Sequence, residues 1–600
     1  MRSLGSFSAA LLLAAACGKS DGDTVANGDD GGSGTTAAGR SGDGNNSGAG
    51  SSSPNAGRGG STPVAGSPDA GTTANGGASA GATSGGAGTG GSGGAGGAPV
   101  ELPKRPNVVV ILNDDEGWNG TSVQMMSGRA DSKSDYYETP SMERLAKLGM
   151  TFSNGYAAPN CSPSRLSLLT GKTPARTKMT DIIERSSGNE YDGHPLLPPG
   201  HDDNPAGRIF AAPKTEQTIA ELIKAHDAGY ATAHFGKWHM NGGGPAEHGF
   251  DESDGPTSNA EGQVGGDDPK LVFSLTEKAG KFIQKNVAAK KPFYLQVSHY
   301  ATHEESFALA STIAEFQAKA PGALHDDPVF AAMTHDLDTA IGRLLDKLAD
   351  PNGDGDDADS LFPTTYIVML ADNGAVDTIS DNFPLYMGKA STWEGGVRVP
   401  FLLAGPGIAA GSRSDVAVAE TDILPTIAEW VGGTPKPAGG GLDGGSFAQL
   451  ARGQASAVTG RDDKFYFHFP HYQVEKGSKP MSSIRDGNLK LVHFYETGAD
   501  LLFDLSKDLS EQTDLAAKQP AAVKRLRIEL RDYLASVKAP MPRLNPEFGK
   551  GVFPDVDQDG LNDDWEFREL LTTTYSAGDD PDGDGKTNEQ EETKKTDPLQ

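Results

Sequence analysis

The chain has 600 residues, with 52 Lys and Arg against 81 Asp and Glu and a formal net charge of −29. Such an acidic chain repels a polyanion, which excludes nucleic-acid binding as its main activity. The 79 Gly and 38 Pro make up about a fifth of the residues, against about an eighth in an average protein, so part of the chain is not a packed domain. Two cysteines cannot build a disulfide framework or a thiolate zinc site. No run of about 20 apolar residues marks a membrane-spanning helix.

Residues 1–17 read as an export signal, with Arg2 ahead of an apolar stretch from Phe7 to Ala16 that ends in small residues. The segment resembles a bacterial lipoprotein signal, which implies lipidation of Cys17. The expected product is an exported protein, periplasmic or at the cell surface, held at the outer membrane by a lipid anchor alone. Gly18, rather than Asp, after Cys17 points to the outer membrane. Residues 18–104 read as a linker: positions 18–100 contain 28 Gly and no aromatic, Leu, Ile or Met. This composition cannot bury enough apolar surface to offset its ordering entropy.

From Pro106 the texture changes. Asn107 to Leu112 has the continuous apolar character of a buried strand. Thr139, Pro140 and Gly149 bracket a helix carrying Met142, Leu145 and Leu148. A helix over 216–226, strands over 230–235 and 293–297, and a long amphipathic helix from Met333 to Leu348 follow. Strands at 366–370 and 399–403 complete the pattern. This alternation predicts an α/β domain over 105–450, with a mostly parallel central sheet covered by helices on both faces. Residues 451–545 carry short strands at 465–469 and 489–494 and a helix from about 520 to 537, which predicts a smaller α+β subdomain.

Residues 553–600 hold two matching loops. Asp555, Asp557, Asp559, Asp563 and Glu566 occupy positions 1, 3, 5, 9 and 12 of one; Asp580, Asp582, Asp584, Asn588 and Glu591 occupy the same positions 25 residues later. Gly560 and Gly585 stand at position 6. This is the spacing of an EF-hand calcium loop, so up to two structural Ca²⁺ ions are expected here. A shorter look-alike at Asp350–Gly355 has no acid at position 12 and reads as a surface turn.

Asp114 and Asp115 follow the first strand, and Asp372 and Asn373 follow the 366–370 strand. Lys237 and His239 follow the 230–235 strand, and His303 lies beyond the 293–297 strand. In open α/β sheets, ligands bind outside the carboxyl ends of the strands, so four segments deliver polar groups to one edge. Asp114, Asp115, Asp372 and Asn373 offer oxygen donors, which favour Ca²⁺ or Mg²⁺ over Zn²⁺. Arg165, Lys237 and Lys389 are available to neutralise an anionic substrate.

Cys161 opens Cys-Ser-Pro-Ser-Arg165, with Thr170 and Gly171 following. This element resembles the signal of the formylglycine-dependent sulfatases, in the alkaline-phosphatase-like superfamily. Gly236-Lys-Trp-His239, Asp372-Asn-Gly374, Gly388-Lys389 and Glu394–Pro400 resemble further elements of that family in the same order. The resemblance spans about 105–540. It implies an alkaline-phosphatase-like fold, oxidation of Cys161 to formylglycine by a formylglycine-generating enzyme, and one catalytic ion held by Asp114, Asp115, Asp372, Asn373 and residue 161. It also implies that the hydrated aldehyde attacks sulfur while His303 protonates the leaving oxygen. His239 then takes a proton from the second hydroxyl to release sulfate. Thr302 stands where the family commonly has Pro, and His299 is the alternative acid. The same resemblance implies that Arg165 steadies the nucleophile and that Lys237, His303 and Lys389 contact the sulfate. His468 and His471, within an aromatic run, are expected either to face a sugar or to be satisfied histidines of an aromatic strand.

The expected substrate is a sulfated polysaccharide or small molecule, aryl sulfates included. A phosphonate or phosphodiester hydrolase of the same superfamily, or a non-catalytic calcium-dependent surface protein, are the alternatives.

Overall fold

The computed structural model describes residues 101–183, 193–204, 212–437 and 441–600. The export signal, Cys17 and the Gly-rich stretch to residue 100 lie outside these residues. Among the described residues no helix is long and apolar enough to cross a membrane.

An eight-stranded sheet is built from β1 (Asn107–Asn113), β2 (Met150–Phe152), β3 (Ala231–Gly236), β4 (Glu252–Ser253), β5 (Phe293–Ser298), β6 (Thr365–Ala371), β7 (Phe401–Ala404) and β8 (Ser412–Ser414). Its spatial order is β8-β2-β7-β6-β1-β5-β3-β4. All neighbours are parallel except β7, which runs antiparallel to both β2 and β6. The mostly parallel sheet anticipated from the sequence is thus present. Its helices are α1 (Pro140–Leu148), α2 (Cys161–Thr170), α3 (Ile219–His226), α4 (Val272–Ala288), α5 (Pro328–Ala349) and α6 (Ile423–Val431).

Alternating side chains of a strand point to opposite faces, and β1 divides accordingly. Val109 and Ile111 pack with Met142 and Leu145 of α1, Leu275 and Ile283 of α4, and Leu337 and Leu344 of α5. Val108, Val110 and Leu112 pack with Leu166 and Leu169 of α2, Ile219 and Leu222 of α3, and Ile423 and Ile427 of α6. The continuous apolar run is therefore a strand buried on both faces. Register aligns the strand ends: Leu112 lies opposite Ser298 and Leu370, and Ser298 opposite Gly236. The residues after four strands consequently emerge at one level.

A second, four-stranded antiparallel sheet follows, with β9 (Lys464–Phe469), β10 (Met481–Asp486), β11 (Leu489–Phe494) and β12 (Ala499–Asp504) in sequential order. Helix α7 (Pro520–Ser536) packs Leu526, Leu530 and Leu534 against Ile484, Leu491 and Leu502. Two tail residues, Phe567 and Leu571, enter the same core.

A buried charge cluster ties the small sheet to the large domain. Lys490 of β11 pairs with Glu394 and Glu511 at 2.9 Å each, while Arg398 pairs with Glu394 at 2.8 Å. Tyr156 donates to the same Glu394 carboxylate at 2.7 Å. Removing one partner of a buried pair strands the other, which costs about 3–5 kcal/mol. Lys490→Met is therefore expected to lower the unfolding free energy by ~3–5 kcal/mol, measured by urea denaturation against the parent protein.

Candidate active site

The site is assembled where the strands end. Asp114 and Asp115 follow β1; Asp115 takes a left-handed conformation with φ 57°. The backbone N–H of Asp372, directly after β6, donates to Asn113 at 3.0 Å. The backbone N–H of Asp115 donates to the Asp372 carboxylate at 3.1 Å. Lys237 follows β3 through Gly236, whose φ is 97° and where an added Cβ would meet the Ser298 carbonyl at 1.9 Å. Only glycine can make this turn, so the close approach of β3 and β5 fixes where Lys237 starts.

Cys161 is the first residue of α2. Asn160 caps the helix, its side chain accepting from the Cys161 N–H, and Gly171 closes it in a left-handed conformation. The Cys161 thiol lies 3.5 Å from Asp114 and 3.7 Å from Asp115. One turn on, Arg165 shares its helix face. Its guanidinium donates to Asp372 at 2.6 Å and to the Lys237 carbonyl at 2.7 Å. Glu420 supports this helix from below, accepting from the Ala158 N–H and the Ser164 hydroxyl.

Each carboxylate has its own cation. Lys237 Nζ donates to Asp114 at 2.5 Å, Lys389 Nζ to Asp115 at 2.7 Å, and Arg165 serves Asp372. All six side chains are buried. Burial alone would raise Asp114, but Lys237 and Arg165 outweigh it and hold this carboxyl well below its usual range. At Asp115, Lys389 overcomes burial to give a value of about 2. Asp372 is pushed up to about 7 by burial and the adjacent Asp114. Burial also pushes the Cys161 thiol well up, so it stays protonated.

Ligand atoms of Asp114, Asp115, Cys161 and Asp372 lie within 4.8 Å of one another. The Asn373 amide donates to Asp115 at 2.7 Å, while its carbonyl oxygen is buried without a hydrogen-bond partner. An oxygen-rich set with one orphaned carbonyl fits a hard dication.

His303 Nε2 faces Asp115 at 3.8 Å, and its Nδ1 bonds the Glu304 carbonyl. Burial, then Lys389 and Lys237, push His303 down to about 3. His299 is also buried and lowered to about 4, but by burial alone. The charges of the site thus act on His303 and not on His299. His239 sits beside the start of α2, with Nδ1 3.2 Å from the Ser162 hydroxyl and Nε2 3.2 Å from the Asn259 amide.

His468 and His471 are not brought to this set. His468 is buried, with Nδ1 2.6 Å from the Ser482 hydroxyl and Nε2 2.7 Å from the Pro540 carbonyl, so both ring nitrogens are used within the fold. His471 is buried with Nε2 2.8 Å from the Thr180 hydroxyl. For His468 the reading as a satisfied histidine of the strand holds, both ring nitrogens being bonded within the fold; His471 links the small subdomain to Thr180. Ser162, Asn259 and Glu420 were not anticipated from the sequence. Asn160 directly before Cys161 was a readable helix-cap signal.

The tail acids also gather. Ligand atoms of Asp555, Asp557 and Asp563 lie within 4.8 Å of one another, as do those of Asp557, Asp559 and Glu566, and those of Asp580, Asp582 and Asp584. Asp350 accepts from the N–H groups of Gly353 and Gly355 in an exposed turn, and Leu361 stands where the tail loops carry their terminal Glu.

Comparison with known proteins agrees with this geometry. The family model for Sulfatase matches residues 106–433, more than half of the chain. The model for the N-sulphoglucosamine sulphohydrolase C-terminal region matches residues 385–539. A sulfatase of Formosa agariphila is 28% identical over 488 residues, covering 70% of this chain and 86% of the relative. Human N-acetylgalactosamine-6-sulfatase is 29% identical over 379 residues, covering 57% of this chain and 65% of that enzyme. Ps i-CgsB, solved in complex with k-i-k-neocarrahexaose, superposes with a TM-score of 0.56 at 24% identity, covering 72% of this chain and 93% of that one. With the matched region containing every acid, lysine and arginine of the converged set, the chain belongs to the sulfatase family, enzymes that hydrolyse sulfuric esters.

Proposed function

We propose that this sulfatase removes sulfate from carbohydrates, using a formylglycine derived from Cys161 and a Ca²⁺ ion held by Asp114, Asp115, Asp372 and Asn373. The observation that carries the reading is the position of Cys161. Its sulfur starts a buried helix, 3.5 Å and 3.7 Å from two carboxylates that are themselves paired with lysines. A protonated thiol between hard oxygen donors is a poor nucleophile and a poor ligand for such an ion. The converted side chain would supply one hydroxyl to displace the alcohol and a second through which sulfate is expelled. The cation would supply Lewis-acid polarisation of the oxygens it binds.

The chain's own groups complete the reaction. Lys237 and Lys389 carry fixed positive charge to the place where the sulfuryl oxygens sit, and Arg165 holds Asp372 in line. His303, directed at the same carboxylate as Lys389, is the proton donor to the leaving oxygen. Its low value reflects burial beside two lysines, and an arriving sulfate ester opposes that effect by adding negative charge. His239, held between Ser162 and Asn259, is the proton acceptor for sulfate release. Because Cys161 is fully buried, the formylglycine-generating enzyme acts before α2 docks. The carbohydrate substrate is supported by the relatives, among them an N-acetylgalactosamine-6-sulfatase. The signal read around Cys17 supports export with a lipid anchor.

Peptide mass spectrometry across Ala157–Arg165 of protein from its native host is expected to find the aldehyde at position 161. Cys161→Ala is expected to lose about 10³-fold or more in kcat on aryl sulfates. An intact thiol in fully active protein would overturn the reading. Turnover of an aryl sulfate is expected to exceed that of the matched aryl phosphonate.

His303→Gln is expected to lose about 10²- to 10⁴-fold on esters of poor leaving groups, and far less on nitrophenyl sulfate, whose nitrophenolate leaves without a proton. His299→Gln is expected to lack this leaving-group dependence. Steady-state rates across a series of sulfate esters make the comparison.

A further inference from the structure

We propose that the tail is a calcium-locked clasp: two Ca²⁺ ions in its paired loops hold residues 553–600 against the small subdomain, independently of the catalytic ion. Two helices carry the terminal glutamates of the loops, α8 (Asp563–Glu569) and α9 (Asn588–Lys594).

The first loop forms one cluster, since Asp557 belongs to both of its groups of close ligand atoms. Glu566 is 0% exposed, and neither of its carboxylate oxygens has a hydrogen-bond partner. One oxygen each of Asp555, Asp557 and Asp559 is likewise buried and unpartnered. The arginines nearby are engaged by other acids: Arg543 by Asp564, Arg568 by Glu569, and Arg531 by Asp597. A buried carboxylate with neither hydrogen bond nor counter-charge is strongly disfavoured. A cation among these oxygens removes the penalty.

The second loop is more open, with Asp580 accepting from the Gly583 and Gly585 N–H groups at 2.8 and 2.9 Å and Asp584 paired with Lys586, but its two helix-borne ligands are buried like Glu566. Asn588 is 0% exposed; its amide nitrogen donates to Ser576 at 3.0 Å, leaving its oxygen buried and unpartnered. Glu591 is also 0% exposed, with one oxygen accepting from Thr596 at 3.1 Å and the other unpartnered. All side-chain donors are oxygens. Four Asp, a bidentate Glu566 and the Leu561 carbonyl at position 7 supply more ligands than octahedral Mg²⁺ accepts, which selects Ca²⁺.

The clasp follows from what adjoins Glu566. Phe567 and Leu571 lie in the core made with Leu526, Leu530 and Leu534 of α7. The carbonyls of Leu570 and Leu571 bond Arg527 of α7 and His493 of β11. Leu561, Trp565, Leu570 and Leu599 form a smaller core that touches Ile528 of α7. An ion that draws Glu566 inward therefore fixes the segment seated on α7.

Metal-stripped full-length protein titrated with CaCl₂ in a calorimeter is expected to take up more calcium than E566Q or E591Q, each lacking one site. In scanning calorimetry the parent protein is expected to gain about 5 °C at saturating calcium, and E566Q less. In calcium-free buffer E566Q is expected to melt at or above the parent, because without the ion Glu566 has no hydrogen-bond partner for the substitution to remove. E566Q is expected to keep its hydrolysis rate at saturating calcium, which separates the clasp from the catalytic ion. Parent-like calcium uptake by E566Q, melting below the parent in both buffers, or an equal shift with MgCl₂ alone would each overturn the proposal.

Discussion

The structure depends on closing a charge balance inside the protein. Three carboxylates, Asp114, Asp115 and Asp372, are buried together, and each is met by one buried cation. An isolated buried carboxylate costs several kcal/mol, so these groups persist only as pairs. The pairs join different segments: the end of β1 to the end of β3, the end of β6 to α2, and the end of β1 to the loop carrying Lys389. Sheet register and site electrostatics are thus one constraint, because slipping any strand by a residue would break a pair and flip its apolar side chains. On the proposed reading, a dication added to these three pairs would leave the site net positive, which favours an anionic sulfate ester.

Much of this was legible because the chemistry sits next to the strongest local signal. The acids of the buried cluster come straight after buried apolar strands, and the residue pattern after Cys161 marks the helix that carries Arg165. Less was legible where the signal is diluted. Helix α4 was not anticipated: it starts from Lys270 and Leu271 in left-handed conformations, without a side-chain cap. Its stripe is interrupted by Ala279 and Gly280. Strand β10 is interrupted by Ser482, Ser483 and Arg485 and β12 is bounded by Asp500 and Asp504, so neither shows a clean apolar run, and both take their place by pairing with their neighbours. The two readings left open at His468 could not be separated from the sequence for a definite reason. Register places His468 opposite Ser482, and the segment at Pro540 returns over the same face. Neither the cross-strand partner nor the returning segment can be read from the aromatic run itself.

The tail shows the same limit from the other side. Its loop spacing is entirely local and could be read residue by residue. Its seating on α7 could not, because Phe567 and Leu571 look like any apolar pair between acidic stretches. Long-range packing, rather than motif spacing, brings Phe567 and Leu571 into the subdomain's core.

The encoded cysteine is the least suited atom in the site to the chemistry proposed for it. Burial keeps the thiol protonated, and two neighbouring carboxylates oppose its ionisation further. Relief by Lys237 and Lys389 is limited, since both lysines are committed to Asp114 and Asp115. A thiolate there would compete for the very charges that hold the acids. An oxygen-bearing side chain escapes the conflict: it can bind a hard cation while neutral, and it needs no lysine of its own. On the proposed reading, conversion of Cys161 therefore settles the electrostatics of the site as well as supplying the nucleophile.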